Sequence, residues 1–302
     1  MTSRINLTFL GTGDSVPTDR RNHPGILLDF DGEHILFDCG EGTQRQFRKA
    51  HINPSSVTRI FISHWHGDHI LGLPGLLQTL SLTGHQKTLK IYGPKNSKLY
   101  LYRMLESFAF VDKFLIELVE VTKPGIVVDE KDFRIEAEMM EHGTPCLAYK
   151  FIKKGHRRID KNKLSKYKIK EGKHLANLKE GKDITYDGKK YKAKDLIYED
   201  EDVSVSIVMD TKFNNKIIPF VKESDVLIIE CTFGNDLVEK AIDHKHMTSK
   251  QVGEISKKAK VKKTYLTHIS SRYETNLNQI LDEVKKVFKN VELAKELGSI
   301  DV

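Results

Sequence analysis

The run His64-Trp-His66-Gly-Asp68-His69 follows directly on Arg59-Ile-Phe-Ile-Ser63, and it limits the fold more than any other feature of the chain. A short, nearly continuous apolar run reads as a strand in a sheet covered on both faces. In open α/β sheets, ligands gather where strands end. The cluster therefore falls on the loop leaving a strand. His64 and His66, two apart, point the same way from extended backbone. Gly67 permits a tight turn, after which Asp68 and His69 face a second point nearby. Three imidazoles and a carboxylate suit Zn²⁺ or a related divalent ion.

The surrounding pattern agrees with such a sheet. Ile5–Leu10, Gly25–Phe30 and His34–Asp38 read as strands, the last two joined as a hairpin by Asp31-Gly32. Helices are expected at Thr43–Ala50, His69–Leu82 and Asn96–Phe110, with strands at Leu89–Tyr92, Ile116–Val121, Phe133–Met140 and Leu147–Ile152. Later come strands Val203–Met209, Val226–Glu230 and Lys263–Thr267, and helices Phe213–Val221, Asp236–Ala259 and Asn276–Phe288. Sheets at the centre with helices outside follow from this mixture, in one α/β domain of 302 residues.

Several classes are excluded. No run approaches the roughly 20 apolar residues of a membrane span. The opening Met1-Thr-Ser-Arg-Ile moves straight into strand pattern without a signal segment, so the expected location is cytoplasmic. Cys39, Cys146 and Cys231 are odd in number and far apart, which argues against a disulfide framework and a CxxC zinc knuckle. Each is expected to be a small buried apolar side chain.

The net charge of +7 is concentrated. Residues 153–198 hold 16 Lys and Arg against 6 Asp and Glu, a local +10 that leaves −3 for the rest. With few large apolar residues and four glycines, this segment is expected to be a flexible, protruding basic arm that meets a polyanion.

The histidine run resembles the signature of the metallo-β-lactamase superfamily. Gly40-Glu-Gly-Thr-Gln-Arg-Gln46 and Leu266-Thr-His268-Ile-Ser-Ser-Arg272-Tyr273 are similar to motifs of its ribonuclease Z branch, the tRNA 3′-processing endonucleases. The resemblance covers nearly the whole chain. It implies a four-layer αβ/βα sandwich with His142 (in Glu141-His-Gly-Thr-Pro145), Asp210 (in Met209-Asp-Thr211) and His268 as further ligands, each at a strand end. One zinc would take His64, His66 and His142, the other Asp68, His69 and His268, with Asp210 bridging. Two such ions would acidify a water and clamp a phosphate oxygen during in-line attack, with Asp68 holding that water's proton.

The resemblance further implies His246 as proton donor to the departing 3′ oxygen and Glu230 as the carboxylate orienting it, with His244 a neighbouring candidate. It implies a homodimer acting on precursor tRNA, with the arm gripping the substrate. Arg20 and Arg21 on the loop after the first strand, Lys153, Lys154, Arg157, Arg158 and Lys173 of the arm, and Arg272 are the expected RNA contacts. The sequence departs from the branch in places: Gly172-Lys173 replaces a Gly-Pro pair, Asp19 stands where Lys is common, and Cys231 and Met247 replace small residues. A small-molecule phosphodiesterase or arylsulfatase-type hydrolase, and a non-catalytic RNA-binding relative, remain as alternatives at this point.

Overall fold

Asp31 and Gly32 both take left-handed φ values, 52° and 84°, the combination that a two-residue type I′ hairpin turn requires. The computed structural model to which they belong describes residues 4–110 and 113–302. Met1-Thr-Ser, ahead of the first expected strand at Ile5–Leu10, lies outside the described residues.

The chain begins β1 (Asn6–Gly11), β2 (Gly25–Phe30), β3 (Glu33–Phe37), α1 (Thr43–Lys49), β4 (Arg59–Phe61), α2 (Gly67–Ile70), α3 (Leu73–Leu82), β5 (Leu89–Gly93), α4 (Ser97–Glu106) and β6 (Ile116–Glu120). There follow β7 (Gly125–Asp129), β8 (Phe133–Glu141) and β9 (Pro145–Lys153). The basic segment contributes β10 (Arg157–Ile159), α5 (Lys161–Lys166), α6 (Leu175–Lys179), β11 (Ile184–Tyr186), β12 (Lys189–Tyr191), α7 (Ala193–Leu196) and β13 (Ile197–Glu199). The remainder is β14 (Val203–Val208), α8 (Ile217–Phe220), β15 (Val226–Glu230), α9 (Val238–His244), α10 (Ser249–Lys258), β16 (Lys263–Thr267), α11 (Leu277–Lys285), β17 (Val291–Leu293) and β18 (Ser299–Asp301).

Two seven-stranded sheets result, ordered β18-β1-β2-β3-β4-β5-β6 and β17-β16-β15-β14-β9-β8-β7. Leu27, Leu36 and Ile60 of the first pack with Phe47 of α1, Leu76 and Leu77 of α3 and Leu101 of α4. Val208, Leu227 and Ile229 of the second pack with Val252 and Ile255 of α10 and Ile280 and Val284 of α11. Between the sheets lie aromatic contacts. Tyr149 meets Phe61 edge-on at 5.1 Å and sends its hydroxyl to the Ile62 carbonyl at 2.8 Å, while Phe30 meets Phe151 at 5.4 Å. Helix, sheet, sheet, helix is the expected four-layer sandwich.

Two expected helices are broken, and both breaks shape the site. The helix expected over His69–Leu82 splits into α2 and α3 at Gly72, whose backbone lies against the loop before α1. A Cβ at Gly72 would stand 2.0 Å from the Gly40 carbonyl oxygen. The helix expected over Asp236–Ala259 stops at His244, passes Lys245 at a left-handed φ of 56°, and restarts at Ser249. Thr248 and Gln251 form a capping box there, a start signal legible in the sequence. The gap frees His246 from helical geometry.

By compactness, Asp129–Arg134 and Ile152–Val203 form one unit, and the rest of the chain the other. The basic segment has a small core of its own: Leu164, Ile169, Leu178, Ile184, Ala193 and Leu196 are buried together. The sequence obscured this because its elements are so short that each supplies only one or two apolar residues, too few to register as a period.

Candidate metal centre

Every residue of the centre sits at or just past the carboxyl end of a strand. Asp38 follows β3, Ser63 through His69 follow β4, His142 follows β8, Asp210 follows β14, Glu230 ends β15 and His268 follows β16. Asp38 and His268 both take left-handed φ, 56° and 54°, an uncommon conformation that is several-fold enriched in Asp and His and concentrates at functional sites.

The ligand atoms fall into two groups that share Asp210: His64, His66, His142 and Asp210, and Asp68, His69, Asp210 and His268, each within 4.8 Å internally. In the first, His64 Nε2 is 3.7 Å and His142 Nε2 3.8 Å from Asp210 Oδ2, and His66 Nδ1 is 3.1 Å from His142 Nε2. In the second, His69 Nε2 lies 3.1 Å from Asp68 Oδ2, and His268 Nε2 lies 3.2 Å from both Asp68 Oδ2 and Asp210 Oδ1. Tetrahedral bonds of about 2.0–2.1 Å place neighbouring ligand atoms about 3.3 Å apart, so each group has the spacing of a small divalent ion's shell. His64 Nε2, His69 Nε2 and Asp210 Oδ1 are buried without a hydrogen-bond partner. Such orphaned lone pairs are costly unless something electropositive meets them. The seven expected ligands are brought together and fit two cations.

In four of the five imidazoles, those of His64, His69, His142 and His268, the ring nitrogen that faces away is held in place. His69 Nδ1 contacts Asp38 Oδ2 at 2.7 Å. The Ser63 hydroxyl donates to the same carboxylate oxygen at 2.8 Å and so accepts from His64 Nδ1 at 3.0 Å. The other half repeats the device: the Thr232 hydroxyl donates to Glu230 Oε2 at 2.7 Å and accepts from His268 Nδ1 at 3.0 Å. His142 Nδ1 donates to the Lys245 carbonyl at 3.1 Å. These contacts leave Nε2 of His64, His69, His142 and His268 as the lone pair aimed inward, the usual way an outer carboxylate or carbonyl fixes a metal-binding tautomer. Sequence reading missed Asp38, Ser63 and Thr232. The available signal was position, since each lies at a strand end beside a ligand or glycine turn.

Electrostatics sort the groups. Burial pushes His64 well below its ordinary value, and lowers His66 and His142 as well, which keeps these rings neutral and able to ligate. Burial opposes protonation of His69 and His268 too, but Asp210 leads the influences that outweigh it, and both are raised. Asp68 and Asp210 are held well below the usual carboxylate range, although burial pulls the other way, because surrounding imidazoles favour the charged form. A cation and a proton therefore compete for the same inward lone pairs.

His246 stands beside this centre. Its Nδ1 is 3.0 Å from Glu230 Oε1 and its Nε2 is 3.9 Å from Asp210 Oδ2. Glu230 is fully buried and also accepts from the backbone N–H groups of Thr211 and Thr232, each at 3.1 Å. Burial alone would lower His246, but Glu230 and then Asp210 outweigh it and lift the ring to about 9. His244 is exposed in the last turn of α9 and packs on Phe233. Cys231 and Met247 are buried in the core beneath.

The expected RNA contacts fare differently, and Arg21 is a correction. Its guanidinium is buried, pairs with Glu274 at 2.6 Å and donates to the Ile269 carbonyl at 2.7 Å. It braces the loop after His268 and has no free face for a phosphate. The pattern Arg20-Arg21 could not tell the two apart, because burial is set by residues more than 240 positions away. Arg20, Lys173 and Arg272 are exposed, Arg272 lying over the Phe233 ring at 5.6 Å. Lys154, Arg157 and Arg158 form surface ion pairs with Asp129, Glu199 and Asp200. Such pairs are worth little and exchange readily. Lys153 is half-buried.

Among solved structures, the short form of human tRNase Z matches with a TM-score of 0.72 at 25% identity, covering 98% of each chain. The metallo-beta-lactamase fold protein YhfI from Bacillus subtilis matches with a TM-score of 0.71 at 20% identity over 100% of both, a likeness of fold. The family description "Anti-Pycsar protein Apyc1" matches residues 5–136. Sandwich and centre together define a metal-dependent hydrolase of the metallo-β-lactamase fold. Proteins named Ribonuclease Z are 38% identical in Lactobacillus helveticus and 34% identical in Methanosarcina mazei, each match covering 99% of this chain and 98% of the relative. The chain belongs to the ribonuclease Z family, hydrolytic endonucleases acting on phosphodiester bonds.

Proposed function

We propose that this chain is a zinc-dependent endoribonuclease that removes the 3′ trailer from precursor tRNA and leaves a 3′-hydroxyl on the tRNA. The observation that carries the reading is an anchored imidazole beside two His/Asp groups spaced for cations: His246, held by buried Glu230, with Nε2 turned toward Asp210, which supports a role as proton donor. Near-full-length relatives named Ribonuclease Z support the substrate class. Zinc suits a set of five imidazoles and two carboxylates.

Two such ions, when bound, supply Lewis-acid polarisation of a phosphate and acidification of a water. The chain's own residues do the rest. Asp68, ionised and held by His69 and His268, accepts a hydrogen bond from the water at Oδ and so orients it. Glu230 fixes His246 through Nδ1, so only Nε2 can deliver a proton to the departing 3′ oxygen, and a raised value keeps that proton in place at neutral pH. Exposed Arg20 and Arg272, with Lys153, Lys154, Arg157, Arg158 and Lys173, neutralise backbone phosphates. We further read the chain as a cytoplasmic homodimer. Its three cysteines are free and buried, which suits a reducing compartment. No helix among the described residues is long and apolar enough to cross a membrane. The dimer follows from family resemblance.

The test is cleavage of a precursor tRNA with both product ends mapped, with and without a chelator. The reading expects one cut at the 3′ side of the tRNA body, a 3′-hydroxyl on the tRNA, and loss of cutting on chelation that zinc restores. Turnover of a cyclic nucleotide far above that of precursor tRNA would move the chain to the small-molecule alternative.

A further inference from the structure

Arg45, Arg48 and Lys49 occupy positions i, i+3 and i+4 of α1, so they share one face of that helix. All three are exposed, and with Gln44 and Thr79 of α3 they line a groove of 360 Å³. The opposite face of α1 buries Thr43, Gln46 and Phe47. Gln46 is tied to the Leu10 carbonyl at 2.7 Å, and the Thr79 hydroxyl donates to Gln44 at 3.1 Å, so both walls are fixed. None of the three cations has an ion-pair partner among the described residues.

Helix electrostatics account for only part of this arrangement. Arg48 and Lys49 lie in the last turn, where cations complement the helix dipole. Arg45 is the third residue of the helix, where a cation opposes the dipole and a carboxylate would be favoured. No acidic residue occupies that first turn. Three cations without ion-pair partners on one helix face, two of them forked guanidiniums, match the spaced anions of a phosphate backbone.

The groove also lies near the chemistry. Gly40, three residues before α1, packs so closely on the Asp68 carbonyl that a Cβ there would be 2.3 Å from it. A seven-residue helix is only about 10 Å long, which puts the groove within about 20 Å of the centre. Duplex of that length carries about a dozen phosphates.

We infer that the α1 groove is a second phosphate-binding surface for the RNA, additional to the basic segment at 153–198, and that it governs KM rather than kcat. This rests on the RNA reading above. The triple variant Arg45→Gln, Arg48→Gln, Lys49→Gln is assayed on precursor tRNA across a salt series and on a small phosphodiester. Each phosphate contact contributes about 0.9 to the log–log salt slope. The slope should therefore fall by about 2–3 and KM rise about tenfold or more near physiological salt, with kcat and small-diester turnover unchanged. Unchanged KM and slope would overturn the groove. Should the triple variant lose small-diester turnover, Arg48→Gln and Lys49→Gln singly decide the matter: a slope lowered by about 0.9 each with diester turnover intact supports the groove, and an unaltered slope overturns it. Wild-type enzyme that fails to cut precursor tRNA would instead sink the RNA reading itself.

Discussion

Asp38 Oδ2 lies 2.7 Å from Nδ1 of His69 and also accepts the Ser63 hydroxyl that faces His64. One carboxylate thus orients a ligand from each cation group. Asp38→Asn keeps the shape, and Asn tolerates the left-handed backbone found there. It forfeits the charge that fixes the His69 tautomer. Metal affinity should fall by about 10–100-fold, measured by competition with a chelator, while thermal unfolding of the metal-saturated protein changes little. Wild-type affinity in Asp38→Asn would show that Asp38 only shapes the turn.

His246 and Asp210 separate proton delivery from metal binding. His246→Ala should retain both ions and lose cleavage by about 10²–10⁴-fold, with KM nearly unchanged. His244→Ala, on the exposed turn, should leave cleavage intact. Normal turnover by His246→Ala would remove it from the donor role.

The pH profile follows from the same pair. A proton donor works only while protonated, so kcat should be sustained at neutral pH and lost as pH rises through the His246 value. Burial lowers that value, but Glu230, the larger upward influence, and Asp210 lift it to about 9. Cations held by Asp210 would weaken its pull, so the limb is expected somewhat below 9. Glu230→Gln removes the larger support and should shift the limb to lower pH. A basic limb that stays put in Glu230→Gln would contradict the pairing.

Deleting 153–198 should spare turnover of a small phosphodiester and severely weaken cleavage of precursor tRNA, chiefly through KM. The salt dependence of the remaining activity should flatten as phosphate contacts are lost. Equal losses on both substrates would mean that the segment supports the fold rather than the substrate.

The residues that converge on the centre were legible because metal chemistry restricts residue type and strand ends restrict position. His64 through His69 stand in one run, and His142, Asp210 and His268 each close an apolar strand. The second layer was less so: Asp38, Ser63 and Thr232 are ordinary polar residues whose role exists only once β3, β4, β15 and β16 are side by side. Arg21 failed for the same reason, since its partner Glu274 lies far along the chain. The gap around His246 was readable from the Thr248–Gln251 capping box, yet a long amphipathic pattern on either side concealed it. The core of the basic segment was hidden by elements too short to show a period.

Metal content per folded chain, measured in wild type and Asp210→Ala after identical desalting and read beside precursor-tRNA cleavage, tests the centre most directly. Two ions per wild-type chain are predicted, with loss of bound metal and of cleavage together when Asp210 is removed. A folded wild-type chain that cuts precursor tRNA while holding fewer than two ions, or an Asp210→Ala chain that keeps both, would contradict a shared bridging carboxylate.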